Sequence, residues 1–126
     1  MKSDRSLVLI VDDEPDMCWV LQNLLAERGY DFKVAQTGAS ALELIQSTKF
    51  DIALLDVKLT DIDGLELAGR LKSLDSSIHI VMISGYYYKD DVDIQRAIDG
   101  GVVSGFIAKP FQHDEVIGML EAVGRQ

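Results

Sequence analysis

The chain reads as a doubly wound α/β domain on a five-stranded parallel sheet, and three observations predict it. Short apolar runs alternate five times with stretches of helical period, and the runs are too short to be helices themselves. The segments joining successive runs are long enough for right-handed crossovers between parallel strands. Four of the runs also end in a polar residue: Asp12 and Asp13 after LVLIV, Asp56 after IALL, Ser84 after IVMI and Lys109 after GFIA. In an open parallel sheet those ends meet along one edge, where such sheets bind ligands.

Each element has a local cause. Leu7 to Val11 is a continuous apolar run of the kind a strand covered on both faces requires. From Pro15 to Arg28, Met17, Val20, Leu21, Leu24 and Leu25 recur at helical spacing, with Pro15 suited to the first turn and Gly29 to the stop. A weaker strand covers Asp31 to Ala35; after Thr37 and Gly38 a helix presents Ala41, Leu42, Leu44 and Ile45. Ile52 to Leu55 is the third strand, and Gly64 opens a helix carrying Leu65, Leu67, Ala68 and Leu71. The serine-rich break at Asp75-Ser76-Ser77 precedes a fourth strand, Ile78 to Ile83. Asp90 or Asp91 caps a helix containing Val92, Ile94, Ala97 and Ile98, which ends at Gly100 and Gly101. Gly105 to Ala108 is a short fifth strand, and Gln112 to Val123 a last helix with Val116, Ile117, Met119 and Leu120. No internal repeat, low-complexity tract or linker interrupts this order, so residues 1–126 are expected to form one domain.

Composition narrows the function classes. A chain of 126 residues buries roughly two thirds of its unfolded surface, enough for an ordinary core without disulfides or a structural metal. No stretch approaches the ~20 apolar residues of a membrane helix, and the apolar run near the N-terminus passes straight into Asp12, Asp13 and Glu14, unlike a signal peptide. Cys18 is the only cysteine and reads as packing, which makes the cytoplasm the expected compartment. With 21 acidic against 12 basic residues the formal charge is −9, so direct binding to nucleic acid or anionic lipid is not expected. Carboxylates crowded at one edge attract a hard divalent cation such as Mg²⁺ instead.

The polar strand ends suit phosphoryl transfer. An aspartate at the end of a buried strand, near a divalent ion and a lysine, can attack phosphorus and become an aspartyl phosphate; Asp56 is the candidate. Such transfer needs positioning and charge neutralisation more than covalent help. Asp13 with Asp12 beside it can coordinate Mg²⁺, Lys109 can pair with a phosphate oxygen, and the Ser84 hydroxyl can donate to another. By position, Lys58 is the residue to lend a backbone carbonyl to the metal. Asp12 taken alone fits a solvated surface as well as it fits a metal site.

On these residues the chain closely resembles the receiver domain of two-component response regulators. The acidic pair in IVDDEP, the segment LLDVKLTDIDGLEL, the serine of MISG and the lysine of AKPF occur in the family's order over nearly the whole chain. The resemblance implies a flavodoxin-like (βα)5 fold with strand order 2-1-3-4-5. It implies Asp12 and Asp13 as the metal pair, Asp56 as phosphoacceptor, Lys58 as carbonyl ligand, Ser84 as switch hydroxyl, Lys109 as phosphate-binding lysine and Phe106 as switch aromatic. It further implies a cis Lys109-Pro110 peptide, Mg²⁺ as cofactor, and a histidine kinase or phosphotransfer protein as donor. Self-modification in place of enzymatic turnover is implied too, as is homodimerisation or docking through the fourth helix, fifth strand and fifth helix. Thr60 stands where the family usually has proline, and the segment around Tyr86-Tyr87-Tyr88-Lys89 is a few residues longer than usual. Lys58 and Tyr86 occupy positions that in the family affect how fast phosphate is lost.

Competing readings are weaker. Asp61-Ile62-Asp63-Gly64 is similar to a dehalogenase-type phosphatase motif, but it lies five residues beyond the strand end; as a calcium loop it would place Leu59 and Arg70 at ligand positions. It reads as a turn and helix start. His79 and His113 have no ligand-like spacing, Trp19 falls off the apolar stripe and reads as half exposed, and Tyr86, Tyr87 and Tyr88 read as exposed loop residues. A magnesium phosphohydrolase using Asp56 or Asp61, a nucleotide- or flavin-binding module, and a degenerate receiver acting only as a docking surface are the alternatives. Neither a GxGxxG nor a P-loop supports the second.

Overall fold

Strands without polar alternation require cover on both faces, and in the computed structural model, which describes residues 6–85 and 91–124, they receive it. The order is β1 (Leu7–Val11), α1 (Pro15–Glu27), β2 (Asp31–Ala35), α2 (Gly38–Ser47), β3 (Ile52–Asp56), α3 (Gly64–Leu74), β4 (His79–Gly85), α4 (Val92–Asp99), β5 (Gly105–Lys109) and α5 (His113–Gly124). Within the sheet the described strands pair in parallel and their order is β2-β1-β3-β4-β5, the doubly wound arrangement expected. Alternate strand residues feed two cores. Leu9, Val11, Ala53, Leu55, Ile80 and Met82 pack with α2, α3 and α4. Val8, Ile10, Leu54, Val81, Ile83 and Ile107 pack with α1 and α5.

Helix starts follow local chemistry. Pro15 occupies the first turn of α1; Thr37, Asp63 and Asp91 accept backbone N–H groups at the starts of α2, α3 and α4. Gly29 and Gly101, both at φ +80, leave α1 and α4 in a conformation that side chains disfavour. DIDG is thus the expected turn and helix start, with Asp63 as cap.

Val92 and Trp19 are largely exposed. Val92 is 62% exposed and does not belong to the buried stripe of α4. It lies two residues before the fully buried Ile94, so at 100° per residue it points to nearly the opposite side of the helix. Trp19 is 67% exposed, more than the half-exposure its position suggests. Cys18 is buried, as a packing residue should be. Tyr86, Tyr87, Tyr88, Lys89 and Asp90 lie outside the described residues. Among those described, no helix is long and apolar enough to cross a membrane.

Candidate functional site

Register decides which strand ends meet. Val11 pairs with Leu55, so Asp12 and Asp56 each follow a residue of the same rung. Asp56 in turn pairs with Ile83, and Ile83 with Ile107. The alternation that sends Ile10, Leu54 and Ile107 toward α1 and α5 sends Asp12, Asp56 and Lys109 to that same side of the sheet edge. Ser84 and Phe106 have the other parity. Phe106 packs against the α2–α3–α4 core and pairs with Met82, two residues before Ser84.

The geometry is that of an acidic cluster faced by Lys109. Carboxylate oxygens of Asp12, Asp13 and Asp56 lie within 4.8 Å of one another. Asp12 is 2% exposed and Asp56 5%, which excludes the solvated-surface reading of Asp12; Asp13 is half-buried. Lys109 Nζ lies 3.4 Å from Asp56 Oδ2, 3.6 Å from Asp12 Oδ2 and 3.8 Å from Glu14 Oε1. The Lys58 N–H donates to Asp56 Oδ1 at 3.0 Å, and the Glu14 N–H to Asp12 Oδ1 at 2.9 Å. Asp12 is further fixed through its backbone, whose N–H donates to Ala35 O and whose carbonyl accepts the Cys18 thiol.

Burial dominates the electrostatics of Asp12. Loss of solvent raises its carboxyl to about 6, against the lowering effects of the Glu14 amide and the Lys109 ammonium; the Asp56 charge raises it further. Carboxylates held this close repel, and among the described residues Lys109 alone forms ion pairs with Asp12 and Asp56, fewer positive charges than carboxylates. Hard oxygen donors around uncompensated negative charge fit Mg²⁺, so the donor set matches the cofactor the sequence suggests.

Ser84 is buried at the end of β4, Phe106 is half-buried on β5, and Lys109-Pro110 is a cis peptide. Two participants were not foreseen. Glu14 gives Lys109 a third carboxylate, and its place directly after the acidic pair was the available signal. Gly64 is more than the helix start the sequence suggests: a Cβ there would lie 2.5 Å from Asp56 O and 2.6 Å from Val57 O, so the absence of a side chain lets α3 start against the candidate phosphoacceptor's own backbone.

An open parallel sheet in the order 2-1-3-4-5, with an acidic cluster and a lysine at its carboxyl edge, defines a flavodoxin-like receiver fold. The chain belongs to the response regulator receiver domain family of two-component systems, whose profile matches residues 8–121. It is 33% identical to Sporulation initiation phosphotransferase F of Bacillus subtilis, over 86% of each chain. It is 30% identical to the transcriptional regulatory protein ZraR of Escherichia coli over 96% of its own length, but spans only 27% of that relative. The crystal structure of the response regulator TrrA of Thermotoga maritima, in complex with Mg²⁺-BeF, superposes with a TM-score of 0.82 at 28% identity, covering 94% of this chain and 98% of that one.

Proposed function

We propose that Asp56 accepts a phosphoryl group from a histidine kinase or phosphotransfer protein, with Mg²⁺, and that the modification switches the surface formed by α4, β5 and α5. One observation carries the reading: a buried carboxylate at the end of β3 has one oxygen on a backbone amide and the other facing the lysine that also meets Asp12. An Asp56 oxygen attacks phosphorus, the bond from phosphorus to the donor's imidazole nitrogen breaks, and its electron pair leaves with the imidazole. The imidazole leaves neutral because its other ring nitrogen carries a proton in the donor, so no proton has to come from this chain. The Lys58 amide keeps the attacking carboxylate from rotating, and Lys109 turns from the carboxylates to a phosphoryl oxygen as charge arrives there. Asp12, Asp13 and Asp56, with the Lys58 carbonyl, would hold the ion. When bound, Mg²⁺ neutralises negative charge on carboxylate and phosphoryl oxygens during transfer.

The switch follows from the parity of the strands. Ser84 and Phe106 share the face of the sheet that packs on α2, α3 and α4. A phosphoryl oxygen that draws the Ser84 hydroxyl inward vacates space that the Phe106 ring can take up, a two-state change set off by local charge. The relation to a phosphotransferase supports a relay role, and that to ZraR a control role for a larger regulator. The protein modifies itself and is not a turnover enzyme; its setting is the cytoplasm, where a homodimer through the switched surface is one form of output. Intact-mass spectrometry after incubation with Mg²⁺ and acetyl phosphate tests the chemistry. The expected result is one added phosphoryl group, absent with EDTA; multiple turnover of small phosphate esters would instead mark a phosphohydrolase.

A further inference from the structure

The loop from Val57 to Asp63 is fastened at its base and at its tip. At the base, Lys58 and Asp63 form an isolated antiparallel bridge, and the Gly64 N–H donates to Val57 O at 2.9 Å. At the tip, Asp61 reaches across to the start of α2: Oδ1 accepts the Gly38 N–H at 2.9 Å and Oδ2 the Ala39 N–H at 3.0 Å. Ile62 follows it down, packed so closely that a Cβ on Gly38 would run into Ile62 Cγ2. The first turn of α2 carries no acidic residue of its own, so the anion that complements its free amides comes from 22 and 23 residues away. Thr37 Oγ1 takes the Ser40 N–H, which completes the set.

These contacts close a circuit through the site. Asp12 donates to Ala35 O at the end of β2; the chain continues through Thr37 to Gly38, which is bound to Asp61; the loop returns from Asp61 to Lys58, whose amide holds Asp56. The segment bearing Asp12 and the segment following Asp56 are thus tied together outside the sheet. Thr60 leaves the loop backbone without the fixed φ a proline would give, so the restraint falls on Asp61.

We propose that Asp61 is a positioning residue for phosphoryl transfer: by clamping the loop tip onto the first turn of α2, it keeps the Lys58 amide on Asp56 Oδ1 and so orients the nucleophile. This rests on the reading of Asp56 as phosphoacceptor. The two amides also hold the Asp61 carboxyl below the usual carboxylate range, which keeps the clamp charged.

The test compares Asp61→Ala and Asp61→Asn with Thr37→Ala, which weakens the same helix start without touching the loop. Amide exchange by NMR is measured alongside the phosphorylation rate at saturating Mg²⁺ and acetyl phosphate. Asp61→Ala is expected to speed exchange at Lys58 and Gly64 as well as Gly38 and Ala39, and to slow phosphorylation by about tenfold, with Asp61→Asn intermediate. Thr37→Ala is expected to speed exchange at Ser40 alone and to leave the rate within about twofold of the parent. An unchanged rate in Asp61→Ala, or equal slowing in Asp61→Ala and Thr37→Ala, overturns the proposal. If the parent accepts no phosphoryl group while Asp61→Ala still loosens Lys58, the phosphoacceptor reading fails and the clamp on the loop stands; if Lys58 is unmoved, the clamp fails as well.

Discussion

Replacing Asp12 by Asn should make the metal-free protein more stable at neutral pH. Burial lifts the Asp12 carboxyl from 3.8 to about 6, a native-state penalty on ionisation of about 3 kcal/mol at ~1.4 kcal/mol per pKa unit. Asn fills the same space and its Oδ1 can keep the Glu14 amide, but it gives up the 3.6 Å contact with Lys109. A net gain of about 1–3 kcal/mol at pH 7.5 remains. The sign follows from linkage: because the folded pKa lies above the unfolded one, the native state binds the extra proton between them. The parent's contribution from this group is therefore complete below pH 3.8 and is lost as pH rises through about 6. Urea unfolding of both proteins, without metal, at pH 3.8 and pH 7.5 measures the gap. It should be widest at pH 7.5 and close toward the acid end, and Mg²⁺ should narrow it by stabilising the parent. A variant less stable than the parent at pH 7.5, or a gap that does not change with pH, would refute the reasoning.

Other consequences follow from the same geometry. Lys109→Met removes a cation that competes for Asp12 and Asp56, so Mg²⁺ should bind at least about threefold tighter by calorimetry while phosphorylation falls; unchanged Mg²⁺ affinity would contradict this. Gly64→Ala drives a Cβ into the carbonyls of Asp56 and Val57 and should cost about 1–3 kcal/mol in denaturant unfolding, with slower phosphorylation; parent-like stability would show that the loop yields freely. Asp75, held down at about 2 by the Ser77 hydroxyl and then by Lys49, contributes stability present above pH 3.8 and lost as pH falls through 2. Lys49 is largely exposed, so Asp75→Asn should cost no more than about 1 kcal/mol at pH 7, a bound that thermal unfolding checks.

The sheet was legible because its strands are runs such as LVLIV and IALL, where both faces must be covered and little else fits so short a segment. The four strand-end residues were legible for the same reason, since a polar group directly after such a run lies at the edge. What stayed hidden depends on contacts distant in sequence or on phase around a helix. Asp61 looked like part of a local turn because its partners, Gly38 and Ala39, belong to another element. The burial of Asp12 follows only from the pairing of β1 with β3 and the cover of α1, and the exposure of Val92 beside the buried Ile94 depends on its phase around α4.

The central claim is that Asp56 is where phosphorus arrives. Borohydride reduction after exposure to Mg²⁺ and acetyl phosphate, followed by peptide mapping, tests it most directly. The account predicts that position 56 alone is converted to homoserine and that Asp56→Asn yields no adduct. Reduction mapping to Asp12, Asp13 or Asp61, or an adduct that survives in Asp56→Asn at the parent's level, would contradict it.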